Sequence, residues 1–130
     1  MKFLLLFLFL VVGFIGGYAQ ATSKKLKQGT VVHTVYFWLK NHGNQQDLDS
    51  LYNGVKTLVS IKEIQTAYIG TPADTKERPV IDGSYDLSLT FVFKSSKDQD
   101  AYQIHPTHLK FVEGHNHLWE RVIVYDAKGL

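Results

Sequence analysis

The sequence predicts an α+β domain of the ferredoxin-like class, βαββαβ with an antiparallel sheet. Three observations carry that prediction. Four short runs are rich in β-branched and aromatic residues, and two helical stretches separate the first run from the second and the third from the fourth. Once an N-terminal leader is set aside, about 110 residues remain, the size of one domain.

The first strand is Val31 to Leu39, Val-Val-His-Thr-Val-Tyr-Phe-Trp-Leu. Alternation puts Val31, His33, Val35, Phe37 and Leu39 on one face and Val32, Thr34, Tyr36 and Trp38 on the other, so both faces are largely apolar. Turn chemistry at Asn41 to Asn44 precedes Leu48, Leu51, Tyr52, Val55, Leu58 and Val59 at three- and four-residue spacing. That spacing predicts an amphipathic helix over Gln45 to Ser60, weakened by about 1 kcal/mol at Gly54 relative to Ala. Ile64 to Ile69 reads as the second strand.

Gly70 to Ser84, with Pro72, Pro79 and the Asp82-Gly83 pair, is a long connection, read either as a plain surface loop or as a lid. Tyr85 to Phe93 is the third strand, with Tyr85, Leu87, Leu89, Phe91 and Phe93 opposite Asp86, Ser88, Thr90 and Val92. Ser96-Lys97-Asp98-Gln99 fits a capping box and starts the second helix. Pro106 cannot continue that helix but suits a first turn, so the chain is expected to break at His105 to Thr107 and restart, loosening at Gly114. Trp119 to Tyr125 closes the domain as the fourth strand.

The leader is residues 1–19. Lys2 is followed by an apolar run from Phe3 to Ile15, interrupted by Gly13, and then by small residues that offer cleavage after Ala19 or Ala21. This is the pattern of a secretory signal peptide, and the run falls short of the ~20 residues that span a bilayer. The expected organisation is leader 1–19, linker 20–29 and domain 30–130, in a protein that is periplasmic or secreted and has no stable membrane insertion after cleavage. The 130-residue chain has 14 Lys and Arg, 12 Asp and Glu and no cysteine. Without Lys2 the balance is 13 to 12, and no basic stripe points to nucleic acid. Disulfides, thiolate metal sites and a lipid-anchored N-terminus are excluded by the lack of cysteine.

Two helices cover only one face of a four-stranded sheet, yet the first strand is apolar on both. The second face is expected to meet the same face of another copy, forming a homodimer in which two sheets enclose a shared interior as a dimeric α/β barrel.

Six histidines are present, four of them after the third strand. Tyr102 near the end of one helical piece and His108 at the opening of the next flank the proline corner, which can aim both at one pocket. A histidine suits proton removal and a tyrosine suits donation to a developing oxyanion, with neither metal nor cofactor. The plainer reading makes His108 a hydrogen-bonded core residue beside Phe111 and Val112. His33 is a lone imidazole on an apolar strand face, either a satisfied core group or, in a dimer interior, a group presented to a cavity there. His105, His108, His115 and His117, with Glu113, match no zinc spacing, and no phosphate loop, nucleophile elbow or dinucleotide fingerprint is present.

Val32 to Lys40, Ser84 to Leu89 and Tyr102-Gln-Ile-His-Pro-Thr-His-Leu-Lys-Phe-Val112 together resemble the stress-responsive dimeric A/B barrel (Dabb) family over about Thr30 to Asp126. The resemblance implies a ferredoxin-like protomer and a homodimer. One branch of the family, the plant olivetolic acid cyclases, closes a linear polyketide by aldol condensation with a Tyr and a His that match Tyr102 and His108, and its first-strand His matches His33. Those three are the candidate site. The expected activity is cofactor-independent acid/base catalysis, of cyclase or lyase type, on a small apolar carbonyl compound. The alternatives are a stress-response module that binds a hydrophobic ligand without chemistry, and a cofactor-free monooxygenase that no particular residue indicates.

Overall fold

The computed structural model describes residues 26–130. The expected leader, its cleavage site and most of the linker lie outside the described residues. The end of the linker is tied to the domain, because the Gly29 amide donates to the Gly129 carbonyl at 2.9 Å and the Gly129 amide donates to Thr30 at 2.8 Å.

Strands β1 (Val31–Leu39), β2 (Ile64–Gly70), β3 (Leu87–Phe93) and β4 (Trp119–Lys128) alternate with helices α1 (Gln45–Leu58), α2 (Ser96–Gln103) and α3 (Pro106–His115). The sheet order is β2-β3-β1-β4 and every pairing is antiparallel, which is the ferredoxin-like topology expected. β1 is central and buries alternate residues, so Val31, His33, Val35, Phe37 and Leu39 all face the helix layer. Leu51, Val55 and Leu58 of α1, Leu89 and Phe91 of β3, and Phe111 of α3 complete the core between sheet and helices.

Asn44 caps α1 by accepting from the Asp47 amide at 3.0 Å, and Asp47 and Lys56 sit at the ends that the helix dipole favours. The helix stops at Leu58, two residues before the expected end. Gly54 is buried, and a Cβ placed there would lie 2.5 Å from His115 Nε2. The residue that weakens α1 is therefore what lets α3 approach it.

Other boundaries also differ from those expected, β2 by the single residue Gly70. β3 starts at Leu87 rather than Tyr85, although the Asp86 amide still donates to the Phe37 carbonyl at 2.9 Å, and the Asp86 carboxylate accepts from Leu39 N at 2.8 Å and Gly43 N at 3.3 Å. The cap of α2 is Ser95, not Ser96. Ser95 Oγ accepts from the Asp98 amide at 3.3 Å and its hydroxyl donates to the Asp98 carboxylate at 2.9 Å, so the box is Ser95 to Asp98. β4 runs to Lys128 instead of Tyr125, because β1 offers it a ladder as far as Val31. Pro106 opens α3 as expected, while Gly114 lies inside that helix and Asn116 ends it.

Among the described residues the other face of the sheet carries no helix. Tyr36, Trp38, Arg121, Ile123 and Tyr125 line a recess of about 360 Å³ there, Arg121 lies 4.3 Å over the Trp38 ring, and Trp38 Nε1 donates to Ser84 of the long loop at 2.9 Å. Tyr68 and Tyr125 are 65% and 62% exposed on this open side.

Candidate functional site

The break between α2 and α3 sets the site. His105 has extended backbone and its ring accepts from the Thr107 amide at 3.2 Å, while Pro106 supplies a first residue that needs no hydrogen-bond acceptor. Tyr102 at the end of α2 and His108 in the first turn of α3 are thereby brought together, with ring centroids 4.5 Å apart. His33 reaches the same place from β1, its ring centroid 5.7 Å from that of Tyr102. The three side chains line one cavity of about 250 Å³ between sheet and helices, walled by apolar groups including Val35, Leu89, Phe111 and Trp119.

His33 does not face the interior between two sheets. Its place on the helix side follows from the parity of β1, which gives the open face to Val32, Thr34, Tyr36 and Trp38. The three candidate residues therefore belong to a cavity within one protomer.

Each has a different electrostatic setting. His108 Nδ1 lies 2.9 Å from the Gln103 carbonyl, which only accepts, so Nδ1 carries the proton and Nε2 keeps a lone pair. Burial lowers the His108 pKa, as does the charge of nearby His33 and His105, against the opposing pull of the Gln103 carbonyl. The ring is neutral at pH 7. Tyr102 is 1% exposed and burial alone drives its pKa upward, so the phenol keeps its proton. Among the described residues its hydroxyl has no protein partner. His33, 3% exposed, donates from Nδ1 to Asp126 Oδ1 at 2.7 Å.

Together these groups offer a lone pair, a protonated phenol and a second imidazole around an apolar space. That space is below the ~300–1,000 Å³ of drug-sized pockets and suits a small molecule. No Lys or Arg lines it, so nothing there favours an anionic substrate. His105 caps α3, His115 donates to the Phe111 carbonyl at 2.9 Å and stacks on that ring, and His117 and Glu113 are on the surface. Among the described residues no three His, Asp or Glu side chains are placed to share a metal ion.

Reading the sequence missed Asp126 and Gln103. Asp126 lay one residue beyond the expected end of the fourth strand, and only the register that sets His33 opposite it reveals the pair. Gln103 acts through its backbone, which no side-chain pattern announces.

A ferredoxin-like protomer with an imidazole- and phenol-lined cavity between sheet and helices defines the class of α/β-barrel proteins. The chain belongs to the stress responsive A/B barrel domain (Dabb) family, whose model matches residues 31–128. Among solved structures it is similar to a Dabb family protein from Mesorhizobium loti, at 24% identity and TM-score 0.65, covering 79% of this chain and 99% of that one. It is also similar to the hydroxynitrile lyase of Passiflora edulis, at 20% identity and TM-score 0.66, covering 78% and 94%. A dimeric ferredoxin-like protein of unknown function from Thermobifida fusca is similar at 14% identity and TM-score 0.64, covering 82% and 96%. At these identities the likeness is one of fold. No curated protein matches the chain.

Proposed function

We propose that the chain is an exported, homodimeric Dabb protein whose cavity carries out cofactor-independent acid/base chemistry on a small, largely apolar carbonyl compound or its precursor. The observation that carries this reading is the His108 to Gln103 hydrogen bond, which leaves Nε2 unprotonated beside the unpartnered phenol of Tyr102. His108 is the base and Tyr102 the donor to the substrate oxygen.

Two reactions fit. For a hydroxynitrile, the class on which the Passiflora relative acts, His108 removes the hydroxyl proton and the C–CN bond breaks with its electron pair leaving on cyanide. The carbonyl forms and the proton passes to cyanide. For an aldol closure, His108 removes the proton α to one carbonyl and the carbanion attacks a second, whose oxygen Tyr102 holds while it takes up the proton. Both cycles are proton-neutral.

The homodimer is supported by the aromatic open face and by the dimeric relatives. Light scattering at micromolar concentration tests it, and a monomer would leave that face unexplained. Export rests on the leader pattern and is tested by N-terminal sequencing of the processed protein.

Turnover is tested with mandelonitrile and a panel of small aldehydes and ketones, with mass spectrometry of ligands retained on purification to widen the panel. A His108→Ala protein that stays dimeric and keeps full turnover would falsify the assignment. A second reading, a stress-response module holding a hydrophobic ligand, is favoured by the apolar walls of the cavity. It expects His108→Ala and Tyr102→Phe to change ligand retention alone.

A further inference from the structure

The long connection between β2 and β3 is anchored near its far end. Ile81 N donates to the Arg78 carbonyl at 3.0 Å, Ser84 N donates to Asp82 Oδ1 at 2.9 Å, and the Trp38 indole N–H of β1 holds Ser84 at 2.9 Å. Pro72 and Pro79 remove further freedom. The tip fixed in this way is apolar and uncovered, with Val80 89% and Ile81 41% exposed. Asp82 follows them and lines the 360 Å³ recess of the open sheet face. The Ser84 hydroxyl and amide hold its carboxyl below the usual range, so it is ionised. Arg121 is the other charged group that lines this recess. It stacks 4.3 Å over the Trp38 ring, and among the described residues it forms no ion pair.

We infer that the Gly70 to Ser84 connection is a strap of the homodimer: the Val80-Ile81-Asp82 tip of each protomer docks on the recess of the other, and Asp82 pairs with the partner's Arg121. Closing the open face against a second copy takes the Arg121 guanidinium out of water, which is costly unless a carboxylate meets it. A two-fold contact joins a patch to itself, so a face that carries one cation and one carboxylate satisfies both by exchange. The tip sits at the edge of its own recess, and the exchange therefore brings the two recesses together about the two-fold axis. Val80 and Ile81 gain cover against the aromatic walls, Tyr36, Tyr85 and Tyr125. Stacking on Trp38 leaves the edge of the guanidinium free to meet a carboxylate side-on. This inference rests on the homodimer reading above and adds to it the segment that crosses and the pair that sets the register of the two copies.

The test uses two charge reversals, Arg121→Glu and Asp82→Lys, with association read by analytical ultracentrifugation. Alone, each reversal turns two attractive contacts into repulsive ones and is expected to raise the dimer dissociation constant roughly 100-fold, about tenfold for each contact. Mixed in equal amounts, the two variants are expected to form heterodimers in preference to either homodimer. The two introduced charges then attract across one contact, and the native pair forms across the other. Native mass spectrometry of the mixture, with one chain isotope-labelled, counts the species. A pair made within one chain gives no such preference, so a statistical mixture overturns the inference. Single variants that dimerise as tightly as wild type also overturn it and leave the homodimer reading standing, whereas a monomeric wild-type chain overturns both. The strap lies on the opposite side of the sheet from the helix-covered cavity, so binding there of 4-nitroanisole, a small neutral probe, is expected to match wild type in both variants. Loss of that binding would make the two residues supports of the cavity and overturn the inference.

Discussion

Two polar clusters sit at opposite ends of β1 and are built on opposite principles. At the α1 end, the Asp86 carboxylate is buried and fully engaged: it accepts from Leu39 N, from Gly43 N and from His42 Nδ1 at 2.8 Å. Burial acts to raise the Asp86 pKa, but the Leu39, His42 and Gly43 hydrogen bonds outweigh it and hold the carboxyl below its usual range. In the cavity at the other end, the Tyr102 hydroxyl and His108 Nε2 have no protein partner among the described residues. A cluster with its hydrogen bonds saturated holds the fold together, and one whose donor and acceptor face a cavity without protein partners is stabilised less and has something to offer a ligand.

The contrast predicts that removing a cavity group costs activity, while removing a corner group costs stability. The largest expected effect is His108→Ala, with turnover down about 10²–10⁴-fold and the urea unfolding free energy within about 1 kcal/mol of wild type. A large stability loss with unchanged turnover would reverse the roles of the two clusters. Next comes Asp86→Ala, which strands two backbone donors at the β1–α1 corner and is expected to cost about 2–4 kcal/mol in urea unfolding. Probe binding in the cavity should survive that change, provided the assay stays below the unfolding midpoint.

A smaller effect is expected at Gly54. Alanine is favoured in a helix by about 1 kcal/mol, yet its Cβ meets the His115 ring, which is held by a hydrogen bond and by stacking on Phe111. The net cost should be about 1–3 kcal/mol, most of it recovered in the Gly54→Ala/His115→Ala double variant. Since α3 also carries His108, Gly54→Ala sharpens the comparison by asking whether the cavity tolerates a shift of the helix that α1 positions.

The pH dependences are the smallest effects and share a sign, because the folded-state values of both groups are lowered. The folded-state value of Asp86 lies below the unfolded one, so its contribution is complete above about pH 4 and is lost as pH falls through the folded value. Acid titration of stability should show that loss in wild type and not in Asp86→Asn. His108 also has a lowered folded value, so the unfolded chain takes up its proton first. Stability falls as pH drops below about 6.5, and kcat/KM should hold its plateau to lower pH than an exposed histidine would allow.

Most of the fold was legible before any contact was known. Periodicity of two in β1, the three- and four-residue spacing of Leu48 to Val59 and the proline corner at Pro106 are local signals, and each element forms near where they put it. The misplaced ends have non-local causes. The Asp86 carboxylate is committed to distant amides at Leu39 and Gly43, and β4 continues through Asp126 because β1 lies alongside to pair with it. The site divided in the same way. Tyr102 and His108 lie six positions apart across the corner, so short-range geometry was enough to place them together.

The sequence by itself determined the ferredoxin-like order of elements, the family and the Tyr102 to His108 pairing, because backbone propensity and side-chain period act over a few residues. Only the tertiary structure decided that His33 belongs to the helix-covered cavity rather than the open face, that Asp126 is its partner and that Gln103 sets the tautomer of His108. Those facts depend on strand register and on which face the helices cover, and both are settled by packing between segments far apart in the chain.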